Sequence, residues 1–587
     1  MFLRHKLRRK DGKQHRYWSI VENRRVFGGR TVQRHVLYLG EINDAQQAAW
    51  CRTIEAFEER GHRGRQIALF PEDRTPPALE CDVVQVRLSG LRLHRPRQWG
   101  ACWLACELWD QLRLDDFWSP RLPPSRQGTR WLNVLKTLVA YQLIDPGSEW
   151  RLHRQWYEQS AMADLLGEDF ALAGKDTLYR CLDKLLAHKR AMFSFLRQRW
   201  QDLFAASFEV LLYDLTSTYF ECDPPEAGKR RFGHSRDKRS DCVQVVIALI
   251  VTPDGLPLAY EVMPGNTSDK TTLRDFLARI EAQYGKADRT WVMDRGIPTE
   301  AMLAEMRAAE TPVHYLVGTP RGRLGRLERD FLDKPWAQVR EAVSVKLVEQ
   351  DGEVYVLARS EPRRGKEQAM RRRRLKKLIK RLHELRRQTL SRDQLLLKLG
   401  AAKKEAGRAA WRLLDITLPG KDQPVTEETF CFRLNWQRRR EGSCLLRSNL
   451  TGGDPAQLWS FYLQLVEVEP AFKELKSDLA IRPIFHQTDA RIEAHIFVAF
   501  LAYCLQVTLK QRLRPPAPGP TPRAVLEKMA ALQMVDVHLP TTDGRTIVLS
   551  RHTEPNADQA LLLHLLNLNL PAQPPPRIAA QGDGASV

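Results

Sequence analysis

Three carboxylates in this 587-residue chain stand where reacting groups are usually carried. Asp214 closes the apolar run Val210-Leu-Leu-Tyr-Asp, Asp294 closes Thr290-Trp-Val-Met-Asp, and Glu469 lies inside a helical stretch from Pro455 to Leu479. Acids that end strands crowd at the carboxyl edge of a sheet, and a helix packed across that edge can present a third. Three like charges in one place repel one another and are tolerated when cations neutralise them. Hard oxygen ligands favour Mg²⁺ or Mn²⁺. Two such ions about 3.5–4 Å apart activate an attacking oxygen and stabilise the leaving one in phosphoryl displacement. Taken singly, an aspartate after a strand is more often a turn former, so the neighbourhood of each acid has to carry the argument.

The helix supplies part of that neighbourhood. Tyr462 precedes Glu469 by seven residues and Lys476 follows it by seven. Seven residues are nearly two helical turns, so all three project from almost one face. Glu467 and Glu474 are rival acids that miss this register. Charge supplies another part. Lys229 to Arg239 holds six basic residues (Lys229, Arg230, Arg231, Arg236, Lys238 and Arg239) against Asp237, in the stretch that follows Asp214. Such a loop is suited to holding phosphates, which give affinity for nucleic acid without reading sequence. Arg363 to Arg387 holds 13 Lys/Arg against Glu367 and Glu384, a density that calls for a polyanion or a fully solvated helix.

The elements that must position these residues can be read from periodicity. Residues 1–70 alternate in strand fashion around Gly28-Gly29 and then turn helical, a basic β/α element; Pro71 to Pro77 reads as a linker. Residues 96–206 have helical period and form an all-helical N-terminal domain. From Phe208 the order is β-β-β-α-β-α-β: Val210 to Leu215, Val243 to Val251, Leu256 to Val262, a helix Thr271 to Tyr284, Thr290 to Asp294, a helix Thr299 to Ala309, and Tyr315 to Val317. A hairpin-rich start that turns into βαβ alternation predicts an α/β, ribonuclease-H-like catalytic core rather than a doubly wound sheet. That core spans 208–318 plus 452–512 and is interrupted by an α+β insertion at 319–451. A C-terminal unit at 523–575 has a hairpin at Asp543-Gly544 and a leucine-rich helix. The segment Gly174 to Leu182 fits either a capped recognition helix that contacts DNA ends or one helix of a plain bundle.

Together these stretches resemble the bacterial insertion-sequence transposases of the DDE type, the cut-and-paste class with the signature Y-x2-R-x3-E-x6-K. Tyr462, Glu469 and Lys476 match it, while Leu465 stands at the arginine position. Tyr213-Asp214-Leu-Thr-Ser-Thr218, Gly233-His-Ser-Arg236-Asp-Lys238-Arg239, Pro264-Gly265-Asn266, Met293-Asp294-Arg295-Gly296 and Arg482-Pro-Ile-Phe-His486 with Arg491 to His495 resemble further blocks of the family, in order, over roughly 210–510. The resemblance implies that Asp214, Asp294 and Glu469 are the catalytic residues and hold two Mg²⁺ or Mn²⁺ ions. It implies hydrolysis of one DNA strand at each transposon end, then attack of the freed 3′-hydroxyl on a phosphodiester of target DNA, with no covalent protein–DNA intermediate. Tyr462, Lys476, Arg295 and the basic loop would contact the DNA backbone. In this class an insertion aromatic stacks on a flipped base; Trp411 and Trp436 are the two candidates, and core packing is the commoner role for such a residue. The implied partners are double-stranded DNA, as inverted-repeat ends and as target, and a second subunit, since pairing two ends suggests a dimer on DNA. A metal-dependent nuclease of the same fold and a catalytically silent DNA-binding relic are the alternatives.

Composition bounds the same reading. Lys+Arg number 92 and Asp+Glu 71, a net charge of +21, which argues for a polyanion partner. Hydrophobic residues at 43% exclude a disordered chain. Eleven Lys/Arg in the first 35 residues with no following apolar stretch do not read as a signal peptide. No uncharged apolar run reaches the roughly 18 residues a spanning helix needs, and Cys242 to Pro253 reads as a buried strand, so no membrane partner is expected. The ten cysteines show no CxxC or Cys/His spacing for zinc, and the expected location is the bacterial cytoplasm, beside the nucleoid.

Overall fold

A computed structural model describes residues 2–42 apart from 11–12 and 26–30, positions 46, 47, 50, 51 and 54, 86–267 apart from 236–238, 289–293, 298–319 apart from 310–312, 334–434 apart from 341–342, 389, 412, 421–422 and 427, then 443–450, 458, 474, 479, 481, and 484–579 apart from 518 and 543. The chain opens with an antiparallel three-stranded sheet, β1 (Phe2–Lys10), β2 (Lys13–Arg25) and β3 (Thr31–Gly40). Strand β4 (Arg92–Gln98) leads into a helical region whose main members are α1 (Gly100–Gln111), α2 (Trp131–Ile144), α3 (Lys175–Leu185) and α4 (Lys189–Phe204). Apolar residues recur at helical spacing in α2, and twelve of its fourteen residues are buried. Asp176 lies inside the first turn of α3, whose N-cap is Gly174.

A mixed sheet of nine strands follows. Its centre is β5 (Val210–Phe220), β6 (Val243–Val251), β7 (Pro257–Pro264) and β8 (Thr290–Met293); helix α5 (Glu300–Ala308) then leads to β9 (His314–Gly318). All nine residues of β6 are buried, as a continuous Val/Ile run in a sheet covered on both faces should be. Strands β5, β6 and β7 are joined antiparallel, whereas β8 and β9 run parallel to β5. Strand β5 is longer than the sequence predicts. Thr216-Ser-Thr218-Tyr-Phe220, rich in strand formers, continues the ladder with β6, so Asp214 lies mid-strand rather than at a strand end. The expected helix over 271–284 lies outside the described residues.

The strands that follow enlarge the same sheet. They are β10 (Ala337–Arg340), β11 (Val343–Gln350) and β12 (Glu353–Ser360). Two helices, α6 (Glu361–Arg386) and α7 (Arg392–Trp411), and a separate two-stranded ladder, β13 (Leu414–Thr417) with β14 (Cys431–Leu434), come between them and β15 (Ser443–Ser448). The sheet order is β10-β11-β12-β15-β9-β8-β5-β6-β7, with β15 pairing antiparallel to β9. Helices α6 and α7 and the β13–β14 ladder have a core of their own, built on Leu375, Leu378, Leu382, Leu385, Leu395 and Phe430.

Helix α8 (Asp489–Leu513) passes through the main core, and among the described residues it is the one helix long and apolar enough to cross a membrane. The uncharged stretch Ala494 to Leu509 predicts an apolar helix here, and α8 extends it at both ends. Its most apolar stretch is 94% buried within the molecule. Phe497 and Phe500 pack against Phe193 of α4 and Tyr260 of β7. The remaining elements are α9 (Pro522–Met529), β16 (Gln533–Pro540), β17 (Thr546–His552), α10 (Ala557–Leu566) and β18 (Arg577–Ala579). Strands β16 and β17 form the expected hairpin, and β16 pairs with β4 across more than 430 residues of sequence. There the Arg97 guanidinium, 1% exposed, is shared between Asp164 and Asp536.

Candidate active site

Asp214 is partly exposed between buried neighbours on β5, and the backbone N–H of Leu215 donates to its Oδ1 at 2.7 Å. The parallel register of β5 with β8 pairs Tyr213 with Met293. The residue after Tyr213 is Asp214, and the residue after Met293 is Asp294. Asp294 and Arg295 lie outside the described residues, as do Tyr462, Glu469 and Lys476, Arg236 and Lys238, and Trp436. Within the expected acidic helix, Glu474 is described. Its backbone oxygen accepts from the N–H of Leu479, and its carboxylate lies 3.8 Å from Lys510 of α8. This contact ties the segment to the core helix.

The basic loop is fastened at its base, and two of its six cations do the fastening. The N–H of Lys229 donates to the Asp489 carboxylate at the start of α8, and Lys229 Nζ donates to Glu493 at 2.8 Å. Arg230 is 9% exposed and donates through Nη2 to the backbone oxygen of Gln487. Lys229 and Arg230, expected among the phosphate contacts, are engaged by carboxylate and carbonyl oxygens from the α8 end, with Arg230 buried and Lys229 partly exposed. Arg231 is partly exposed and pairs through its backbone with Gln244, and Arg239 is held by Asp241 and Glu221. No sequence signal distinguished inward from outward cations, because all six belong to one charge run. The acidic pair Asp489 and Glu493, one helical turn apart, was the signal that could have done so.

Glu493 also accepts from Lys189 of α4, a buried lysine that bonds Glu261 as well and lies 4.2 Å from the Tyr260 ring. Burial works to raise the Glu493 pKa, but Lys189 and Lys229 outweigh it and hold the carboxyl below its ordinary range. Burial likewise opposes, and the hydrogen bonds from Arg97 and Ser550 prevail, at Asp536. Carboxyls depressed in this way bind fewer protons folded than unfolded once the pH nears their unfolded value. The stability they add is present above that value, about 4, and is lost as the pH falls through the lower folded values. A melting temperature that stays level from neutral pH to about 5 and drops below about 4 is expected in a thermal scan across pH.

Two glycines of the expected motifs prove to be packing residues. A Cβ on Gly265 would lie 2.0 Å from the backbone oxygen of Gln244 and 2.3 Å from that of Arg231. One on Gly233 would lie 1.9 Å from the oxygen of Gly265. Neither neighbour is a side chain that can swing away, so these positions admit only glycine. Gly265→Ala is expected to cost at least about 1–3 kcal/mol by overpacking and to displace the basic loop. A lowered melting temperature together with weaker retention of a DNA duplex on a gel would show it; unchanged DNA retention would refute the link to the loop.

Trp411 is partly buried against the core formed by α6 and α7, with Lys403 above its ring. The basic helix expected at 363–387 is α6, which sets Leu375, Leu378, Leu382 and Leu385 inward and leaves Arg372, Arg373, Arg374, Lys376, Lys377 and Lys380 exposed.

Comparisons with known proteins bear on this geometry. Residues 208–505 match the family described as the transposase DDE domain, and residues 3–66 match the N-terminal domain of the IS1634 family transposases. No curated protein matches the chain. Among solved structures, the chain is similar to the piggyBac transposase in a cryo-EM synaptic complex with hairpin DNA, at 9% identity and a TM-score of 0.35, over 73% of this chain and 79% of that one.

Proposed function

The chain belongs to the DDE transposase family, and from that premise we propose that it cuts DNA at the ends of its own insertion sequence and joins those ends to target DNA through Asp214, Asp294 and Glu469. It is an enzyme of DNA transposition, its partner is DNA, and divalent metal dependence comes with the family. The observation that carries the residue assignment is the parallel pairing of β5 with β8, which ends at Tyr213 and Met293, each followed by an aspartate. Strand order supports a ribonuclease-H-like core: an antiparallel β7-β6-β5 triplet is continued by parallel β8 and β9, and α8 covers the core. Helical residues 96–206 precede it, and the segment 319–451 interrupts it.

The donor set suits hard divalent ions: Asp214 is a partly exposed carboxylate, and the other two proposed ligands are carboxylates as well. Two Mg²⁺ or Mn²⁺ ions, when bound, would supply activation of the attacking oxygen and stabilisation of the leaving one. The chain's own part is placement. The Leu215 N–H fixes one oxygen of Asp214 and so the direction of the carboxylate. Arg231, Arg236, Lys238 and Arg239 of the basic loop, with Arg295, Tyr462 and Lys476, hold the backbone phosphates flanking the cut. Lys229 and Arg230 hold the loop to the start of α8, so that the phosphate contacts move with the core rather than independently of it. A dimer on DNA brings two ends together, and the protein acts in the bacterial cytoplasm at the nucleoid.

The test is a strand-transfer assay with the purified chain, Mg²⁺, a duplex ending in the element's terminal repeat and a circular target. Joined products are expected. Cutting with no joining, under conditions where both ends are bound, would replace this reading by the simple nuclease.

A further inference from the structure

Glu149 meets His486 and His495 in the interior, although it lies more than 330 residues before them in sequence. Glu149 sits on the short helix Glu149–Arg151 after α2, His486 precedes α8, and His495 lies on its second turn. Glu149 Oε1 is 3.0 Å from His486 Nε2 and 2.9 Å from His495 Nδ1, and all three side chains are at most 8% exposed. The three donor atoms lie within 4.8 Å of one another. Tyr179 of α3 packs edge-on against the His486 ring and closes that side.

Without a cation, both imidazoles must donate to a single carboxylate oxygen. Any tautomer of His495 also leaves an unsatisfied atom, since its Nε2 is buried with no hydrogen-bond partner. In the neutral form with hydrogen on Nε2, the Nδ1 lone pair faces the carboxylate, and only a cation between them makes that arrangement attractive. Two imidazole nitrogens and one carboxylate oxygen are the donors of a borderline metal rather than of Mg²⁺.

We propose that Glu149, His486 and His495 form a zinc site, separate from the catalytic carboxylates, that binds through Glu149 Oε1, His486 Nε2 and His495 Nδ1 and leaves one tetrahedral position to a non-protein ligand. The site joins the helical region to the start of α8, where Asp489 and Glu493 hold the basic loop. Its occupancy therefore stiffens the attachment between these parts.

The experiment uses the full chain purified without a polyhistidine tag, with metal content measured by mass spectrometry. One zinc per chain is expected, retained in Asp214→Asn and reduced about ten-fold or more in His486→Gln and His495→Gln, because even a partner of a metal ligand is worth about that much in affinity. A second measurement needs no variant. Co²⁺ added to metal-free wild-type protein should give the visible absorption of nitrogen-ligated tetrahedral cobalt, abolished by Zn²⁺ and unaffected by excess Mg²⁺. A wild-type chain that holds no zinc and gives no such absorption overturns the site, as does zinc retained in full by both well-folded histidine variants.

Discussion

Asp214→Asn is expected to lower strand cleavage at transposon ends by more than about a hundred-fold, since loss of even an outer-shell partner of a metal ligand costs about 10–100-fold. Asparagine keeps the shape and an oxygen to accept the Leu215 N–H that Asp214 now accepts at 2.7 Å, so β5 should fold unchanged. What disappears is the negative charge. That charge is the reason a hard divalent ion would remain beside the other acids, and without it the attacking oxygen loses its activation. Binding of the terminal-repeat duplex should persist, because the basic loop proposed to hold phosphates is fastened through Lys229 and Arg230 to the start of α8 and not through Asp214. Cleavage within about ten-fold of wild type at saturating Mg²⁺ would remove Asp214 from the catalytic set, being smaller than an outer-shell effect can reach. The same assay on Asp294→Asn and Glu469→Gln tests the remaining two.

The largest expected stability effect lies where the added strands join the core sheet. Glu353 of β12, 3% exposed, accepts from Arg447 Nε and Arg307 Nη1, each at 2.6 Å, and from the hydroxyl of Tyr315. Arg447 of β15 in turn reaches Glu300 of α5 at 2.8 Å. These five residues stitch β9, β12, β15 and α5 together. Arg447→Ala removes one of the two arginines that neutralise this buried carboxylate and leaves its Oε2 without its 2.6 Å partner, which costs up to about 3–5 kcal/mol. The midpoint of urea unfolding should fall accordingly. Adding Glu353→Gln should recover part of the loss, since the amide carries no charge to be left unpaired. If the double variant is as unstable as the sum of the single ones, the pair is not the source of the effect.

The sequence alone determined the class of chemistry and most of the core strands. Continuous Val/Ile runs such as 243–251 can be satisfied only by burial on both faces, and a tyrosine, glutamate and lysine spaced by seven fall on one side of a helix wherever that helix packs. Family membership followed from the order of several short motifs, and 208–505 is the stretch that the family matches. Boundaries were less legible. Asp214 read as the end of a strand because the apolar run stops there, yet the threonines beyond it extend β5 through pairing with β6, an interaction local sequence does not contain.

Only the tertiary structure decided which charges face inward. Within the run 229–239, Lys229 and Arg230 are spent on carboxylate and carbonyl oxygens near residue 489, some 260 positions away. The glycines at 233 and 265 were legible as motif letters, but their reason is a backbone-to-backbone approach between two loops. The apolar helix α8 could be told from a membrane span only by what surrounds it. No Cys/His spacing predicted the cluster of Glu149 with His486 and His495, because Glu149 lies more than 330 residues from either histidine and meets them only when α8 packs on the helical region. Periodicity and local spacing report what a segment needs, namely burial, a partner charge or a metal. Which distant segment supplies it is settled by packing, since the energy that selects the partner exists only after the chain has closed on itself.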